Sequence, residues 1–184
     1  MLTVVGPAGG LTETIAQCVS DLLAPDAHVG LAIVDAWPPA ARASLEAMSD
    51  ADIEASCVQP LAELAGVLSD LAPNHRRIVL IGSTSHLGAW DCALAAAYSA
   101  GAVGLMRSVA LEFAREGLTI NLIAAPAPDL ARAPALAALC AALLQADGVS
   151  GQAIPCDGGE NLRMIAARPR RSDGPSGGGT EGAI

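Results

Sequence analysis

The sequence is poor in aromatic side chains and in positive charge. Its 184 residues include two Trp, one Tyr and one Phe, and ten Lys or Arg against nineteen Asp or Glu, which gives a net charge of -9. A core with so few aromatic rings must be built from Ala, Leu, Val and Ile. A protein that binds the phosphates of nucleic acid needs the opposite charge, so we do not expect a nucleic acid partner.

Patterns typical of disulfides, metal sites and membrane spans are also missing. No CxxC spacing occurs among the five cysteines, which are Cys18, Cys57, Cys92, Cys140 and Cys156. An odd number of dispersed cysteines favours reduced thiols in the cytoplasm, and the three scattered histidines predict no metal site. No apolar run reaches the length of a membrane span and the N-terminus lacks the basic start of a signal peptide, so we expect neither a membrane nor export.

Apolar, strand-like segments alternate with helix-like segments along the chain. The predicted strands lie in "LTVVGPAGG", "HVGLAIVDAW" (residues 29–34), "RRIVLIGSTS", "LTINLIAAP" and "GQAIPCDGG". The near-continuous apolar run at 29–34 is typical of a strand buried on both faces of a parallel sheet. The alternation predicts an α/β fold, a doubly wound, mostly parallel sheet of about five to six strands with helices on both faces.

Four helices are predicted between the strands. The first places five side chains on one face: Leu11, Ile15, Cys18, Val19 and Leu22. The second begins at a cap formed by Ser49 or Asp50, and Pro60 should kink or delay it. The third is a long alanine-rich helix from about residue 89 to 115 with Gly117 just beyond its end, and the fourth lies in "APALAALCAALLQA".

The end of the sequence differs in composition from the rest. "ARPRRSDGPSGGGTEGAI" is rich in Gly, Pro, Ser and Arg and has almost no apolar content, so it cannot bury enough surface to fold. We therefore predict one folded domain over residues 1–166 and a disordered tail over residues 167–184.

From about residue 2 to 164 the order of these segments resembles the short-chain dehydrogenase/reductase family. "GLMRSVALEFAREGLTINLIAAPAP" is similar to the family's central helix and the next strand, and "GVSGQAIPCDGG" to its closing strand. "MSDADIEASCVQPL" and "RRIVLIGSTS" are similar to the helix and strand before the central helix. The resemblance implies a Rossmann-like fold, NAD(P) as cofactor, and hydride transfer to or from a carbonyl or an alcohol.

The family's catalytic pair is missing from this sequence. In the family a tyrosine exchanges a proton with the substrate oxygen, and a lysine four residues later lowers the pKa of that tyrosine. Aligned on "GLMRSVALE", the two positions hold Ala95 and Ser99. Aligned on the only tyrosine, Tyr98, the lysine position holds Ala102. Neither register supplies the cation, which predicts a site without a proton relay.

Ser83, Ser85 and Tyr98 are weak remnants of the catalytic set. Ser83 matches the family's serine position, Ser85 is the alternative, and Gln59 stands where the family has a helix asparagine. We interpret the serines as partners for hydrogen bonds at a strand end. We interpret Tyr98 as a helix residue that packs at an interface with its hydroxyl in water, and we assign no catalytic residue.

The segment "VVGPAGGLT" resembles the family's glycine-rich turn that binds the cofactor. Gly6 and Gly10 hold the first two glycine positions and are remnant cofactor-binding residues, whereas Thr12 replaces the third. Glu13 would place a negative charge where the pyrophosphate sits in the family. We therefore expect no cofactor, with NAD(P) as the cofactor if the active-enzyme alternative holds.

The resemblance implies that two parts of the family's chain are deleted here. The first is the strand–helix–strand–helix block that binds adenosine in the family. With this block deleted, residues 29–34 correspond to the family's strand just before the "MSDADIE" segment. In the alternative alignment, residues 29–34 are the family's second strand and Asp35 accepts hydrogen bonds from the ribose. The second deletion shortens the loop that covers substrate, after "AAPAPDLARAP".

These losses lead to one preferred function and two alternatives. The preferred hypothesis is a non-catalytic, degenerate member of the family, a pseudoenzyme subunit in a homo- or hetero-oligomer. It would pair with a catalytic relative or with itself through helices 54–72 and 89–116, which the family uses for dimers. The alternatives are an NAD(P)-dependent oxidoreductase that uses Ser83 or Ser85 with Tyr98, and a small-molecule-binding module.

Overall fold

The computed structural model describes residues 2–7, 9–24, 30–39, 46, 48–88 and 90–164; the predicted tail lies outside this part. The described strands are Thr3–Val5 (β1), Leu31–Ala36 (β2), Arg77–Ser83 (β3), Thr119–Ala125 (β4) and Ala153–Pro155 (β5). All neighbouring strands are parallel, and the sheet order is β1-β2-β3-β4-β5. The predicted α/β class and parallel sheet are confirmed, with the second strand two residues later than expected.

The strand order decides between the two alignments of the second strand. β2 pairs with β1 on one side, Val4 opposite Ile33, and with β3 on the other, Ile33 opposite Val79. In a complete doubly wound sheet the first strand is central and the second and third strands lie beyond it. Because β1 is an edge strand here, the deletion interpretation fits, and the assignment of Asp35 to the family's second strand is wrong.

Helices cover both faces of the sheet. Their bounds are Leu11–Leu22 (α1), Asp50–Ile53 (α2), Gln59–Leu71 (α3), Ala93–Glu112 (α4), Ala133–Gln145 (α5) and Glu160–Met164 (α6). α1 and α5 pack on the face that Ile33 and Ile81 share, while α3 and α4 pack on the face of Val34 and Leu80. Each central strand is therefore buried on both sides, as its apolar run predicts.

The positions of these helices give crossovers of both hands. The chain advances in one direction across the sheet, yet α1 and α5 lie on the face opposite α3 and α4. The crossovers through α1 and α5 therefore have the opposite hand to those through α3 and α4. Parallel crossovers are right-handed in about 98% of cases, so two of these four have the uncommon hand.

Pro60 interrupts the regular helix as expected, without ending it. Ser49 and Asp52 form a reciprocal capping box at the start of α2. Between α2 and α3 the backbone widens into a π turn over Glu54–Val58, and the N–H of Gln59 donates to the carbonyl of Glu54. The wider turn accommodates a proline ring that has no N–H to donate.

Three details of the helices differ from the predictions. α4 begins at Ala93 rather than near residue 89, because Gly88 and Asp91, with φ of 94° and 59°, form a turn before it. Leu22 is 57% exposed, and Leu23 is buried in its place. The short helix α6 carries no strong apolar period and was not predicted.

By length and composition alone, α4 is the one helix of the described ranges that could cross a membrane. Its buried face packs on the sheet and on α3 through Ala102, Val103 and Met106. Core helices of α/β domains share this apolar composition, so the property carries no further meaning here.

Candidate functional site

A cleft of about 570 Å³ opens at the carboxyl ends of β1, β2 and β3, where parallel sheets bind ligands. Its wall contains the glycine-rich turn, the end of β2, the body of β3 and the loop after β4. The residues that line it are Pro7, Gly9, Gly10, Leu11, Thr12, Asp35, Trp37, Ile81, Pro128 and Leu130. Only residues 126–132 connect β4 to α5, so the covering loop is as short as the sequence predicts.

Asp35 is the charged side chain in this wall. It is half-buried at the end of β2. One carboxylate oxygen accepts from the Thr12 hydroxyl at 3.0 Å, and the other accepts from the backbone N–H of Trp37 at 2.9 Å. Both donors are neutral, so Asp35 brings a negative charge to the cleft that these contacts do not balance.

The structure explains the glycine-rich turn by contacts within the chain. A Cβ atom on Gly6 would lie 2.9 Å from the Cβ of Asp35, so the close approach of β2 requires glycine there. The N–H of Gly10 donates to the Pro7 carbonyl at 3.2 Å and closes the turn. The N–H of Gly9 donates to the Glu13 carboxylate. Backbone N–H groups at a helix N-terminus can bind phosphate, but the N–H of Gly9 already donates to the carboxylate of Glu13.

Ser83 and Ser85 lie together at the end of β3. Their hydroxyl oxygens are 2.7 Å apart, and the N–H of Ser85 donates to the Ser83 hydroxyl at 3.1 Å. His86 binds the carbonyl of Ser83 through Nδ1 at 2.9 Å, which makes Nδ1 the protonated nitrogen when the ring is neutral. These contacts begin and stabilise the short turn Thr84–Leu87, which agrees with the strand-end interpretation of the two serines.

Tyr98 lies in α4 with only 4% of its surface exposed. The ring is therefore part of the buried interior of the chain and does not pack at an interface as expected. The pKa of Tyr98 is raised to about 12, chiefly by burial, with smaller contributions in the same direction from the negative charges of Asp35 and Glu63 and from the nearby Cys57. A catalytic tyrosine needs the opposite shift, toward neutral pH.

No cation replaces the missing lysine near Tyr98 among the described residues. The whole sequence contains no lysine, a simple count that strengthens the prediction from the motif. Arg107, the nearest arginine along α4, is exposed and its Nε donates to the Gly151 carbonyl at 3.4 Å. Ser99, at the lysine position, is buried and its hydroxyl has no hydrogen-bond partner. Gln59 is exposed, so the proposed substitute for the helix asparagine does not reach the cleft.

Three solved structures share the fold. A short-chain dehydrogenase/reductase from Serratia marcescens matches 87% of this chain and 96% of its own, with a TM-score of 0.69 and 17% identity. The structure of BdcA in complex with NADPH matches 85% of this chain and 92% of its own, with a TM-score of 0.68 and 17% identity. A short-chain dehydrogenase from Burkholderia cenocepacia J2315, in complex with NADP, matches 80% of this chain and 71% of its own, with a TM-score of 0.58 and 24% identity.

One curated sequence is similar over part of the chain. The (2S)-[(R)-hydroxy(phenyl)methyl]succinyl-CoA dehydrogenase subunit BbsC of Thauera aromatica is 35% identical over 101 residues. The match takes in 52% of this chain and 41% of the relative, so the chain spans less than half of that protein. No family model matches. The fold is that of short-chain dehydrogenase/reductase structures, and the curated sequence match agrees with the predicted resemblance to this family.

Proposed function

We propose that this chain is a non-catalytic subunit that pairs with a second dehydrogenase-like chain. The observation that carries the proposal is the environment of Tyr98. Its surroundings are buried and acidic and raise its pKa to about 12, so the phenol stays protonated at neutral pH. No cation among the described residues stabilises the phenolate, and a base in alcohol oxidation needs that stabilisation.

The cleft also fits a dinucleotide poorly. Phosphate needs backbone N–H donors and a neutral or positive surface, whereas the Gly9 N–H is bonded to Glu13 and Asp35 faces the same cleft. The edge position of β1 removes the neighbouring strands that carry the acidic ribose-binding residue in dinucleotide-binding sheets. These features favour a chain that does not bind NAD(P) by itself.

The outer surfaces of α3 and α4 support a partner interface. Gly66 and Gly104 are exposed inside these helices, and nothing lies within 4 Å of a Cβ atom built on either. A glycine inside a helix costs about 0.5–1 kcal/mol relative to alanine. Gly101 differs, because its Cβ atom would lie 2.6 Å from a methyl of Leu61 in α3, so packing within the chain explains it.

Exposed helix glycines with empty space above them are explained by the close approach of another backbone. Ala100 and Ala97 extend the same exposed surface of α4 by one and two turns, respectively. The curated relative named above is itself a dehydrogenase subunit, which supports an oligomeric arrangement. We therefore propose the surface of α3 and α4 around Gly66 and Gly104 as the interface, with either a catalytic relative or a second copy of this chain.

The substitution Gly104→Ala tests the interface. It should stabilise the isolated chain by about 0.5–1 kcal/mol, because alanine favours the helix. The same methyl group should weaken the oligomer, measured by sedimentation equilibrium of the chain alone and with the dehydrogenases that co-purify with it. Gln17→Ala, at an exposed position of α1 on the opposite face of the sheet, is the control and should leave association unchanged. A stabilised Gly104→Ala variant that associates as well as the parent would contradict the proposed interface.

An NAD(P)-dependent oxidoreductase with an atypical site is the alternative outcome. Its support is the fold that the chain shares with structures that contain NADPH or NADP. Calorimetry of the isolated chain with NADPH separates the two proposals: the subunit proposal expects no measurable binding. Binding together with hydride transfer that Tyr98→Phe abolishes would establish the alternative.

A further inference from the structure

The cleft carries a charge that no described ion pair balances. The two oxygens of Asp35 accept from the Thr12 hydroxyl and the Trp37 N–H, which are neutral donors. Within the described ranges, the arginines in ion pairs are Arg77 and Arg132, and their partners are other acids. Partial burial weakens the solvation of a carboxylate, and a bound counter-charge restores what is lost.

The remainder of the cleft wall is predominantly apolar. It combines the half-buried indole of Trp37 with two prolines and three aliphatic side chains, which are Pro7, Pro128, Leu11, Ile81 and Leu130. A volume of about 570 Å³ lies in the usual range for small-molecule sites, which are mostly apolar with a few placed polar groups. An indole also interacts favourably with a cation held near its face.

We infer that this cleft binds a small organic cation, a protonated amine on an aromatic or aliphatic body. Asp35 provides the counter-charge, and Trp37 and the prolines contact the apolar body. The charge of Asp35, and of Glu13 beside Gly9, disfavours ligands that carry phosphate or carboxylate. The ligand class thus differs from the dinucleotides bound by structures of the same fold, and the inference does not depend on the proposed subunit role.

The two tryptophans of the chain allow a direct measurement. Trp37 lines the cleft, whereas Trp90 is 80% exposed in the turn before α4. In a Trp90→Phe background, the fluorescence of Trp37 reports occupancy of the cleft. The probes are 2-phenylethylamine, the neutral 2-phenylethanol and the anionic phenylacetate, titrated at the same pH and at 20 and 300 mM salt. We expect saturable binding of the amine that weakens with salt, at least about tenfold weaker binding of the alcohol, and none of the anion.

Two variants separate the charge of Asp35 from the net charge of the protein. Asp35→Asn should weaken amine binding about tenfold and leave the alcohol unaffected. Asp21→Asn removes the same charge from an exposed position near the far end of α1 and should change neither. If Asp35→Asn does not fold, the comparison of amine with alcohol and its salt dependence in the parent background still decide the question.

Equal binding of amine and alcohol would overturn the inference, as would tighter binding of phenylacetate. Absence of any saturable change in Trp37 fluorescence with the amine would overturn it as well. NADPH is the fourth titrant: its binding would contradict the subunit proposal, whereas failure of the amine alone would leave that proposal intact.

Discussion

Tyr98 allows the main electrostatic argument to be tested in one titration. It is the only tyrosine of the chain, so ultraviolet absorbance at 295 nm follows its ionisation without overlap from another phenol. The sequence contains no lysine, so lysine deprotonation does not complicate the alkaline range. In the folded chain the pKa of Tyr98 is raised from 10.0 to about 12, first by burial and then by the charges of Asp35 and Glu63.

This shift also predicts how stability changes with pH. Above pH 10 the unfolded chain releases the phenol proton while the folded chain retains it, so rising pH stabilises the unfolded state relative to the folded state. The stability associated with Tyr98 is complete below pH 10 and is lost between pH 10 and about 12. A rise of this size corresponds to at most about 2.7 kcal/mol, and screening by nearby solvent reduces it to about 1–2 kcal/mol.

The measurement is a pair of absorbance titrations, one of the native chain and one in concentrated urea, with urea unfolding curves at pH 9 and pH 11. The native midpoint should lie well above the unfolded one. Glu63→Gln removes one of the charges that raise the pKa and should move the native midpoint toward 10, whereas Asp70→Asn, on the exposed side of α3, is the control. A native midpoint below 10 would show that the folded chain stabilises the phenolate, and the non-catalytic interpretation would be refuted.

The remaining predictions concern single buried groups. Ser99→Ala should stabilise the chain by about 1 kcal/mol in urea unfolding, because it removes a buried hydroxyl without a partner; destabilisation would show that this hydroxyl is bonded. Burial raises the pKa of the Cys140 thiol to about 12, so an alkylating reagent at pH 8 should modify Cys140 only after unfolding, and rapid labelling of the native chain would contradict this. His75 bonds the Leu71 carbonyl and the Thr3 hydroxyl at 2.9 Å each, so His75→Phe should cost about 1 kcal/mol and increase hydrogen exchange in β1; unchanged exchange would mean that the contact does not hold the edge strand.

The fold was predictable from local patterns because each element carries its own signal. The apolar runs of β2, β3 and β4 and the cap at Ser49 identify elements within a few residues of their observed bounds. The start of α4 was less predictable, since it depends on the backbone conformation at Asp91, where a non-glycine residue adopts a positive φ. No sequence period encodes that conformation.

The site was predictable only where it depends on missing residues. The absence of a lysine near Tyr98 follows from the motif and from the lysine count. The burial of Tyr98 and its proximity to Asp35 depend on which strand lies beside β1, which is a non-local property. The bond between Thr12 and Asp35 has the same origin, since it joins residues that are 23 positions apart in the chain.

The face on which α1 packs connects the missing strands to the chemistry of the cleft. In a complete doubly wound sheet a right-handed crossover through the first helix leads away from the later strands, which places that helix on the face opposite the later crossover helices. Here α1 also lies on the face opposite α3 and α4, although it connects β1 directly to β2 on the side of the later strands. The crossover through α1 is therefore left-handed. β2 is therefore the next strand after α1, and its end lies beside the glycine-rich turn. There Asp35 contacts Gly6 and Thr12. The direct connection from β1 through α1 to β2 thus accounts both for the missing outer strands and for the acidic residue in the cleft. A shortened chain of this kind with a neutral residue at position 35 should retain the fold and lose the preference for a cation.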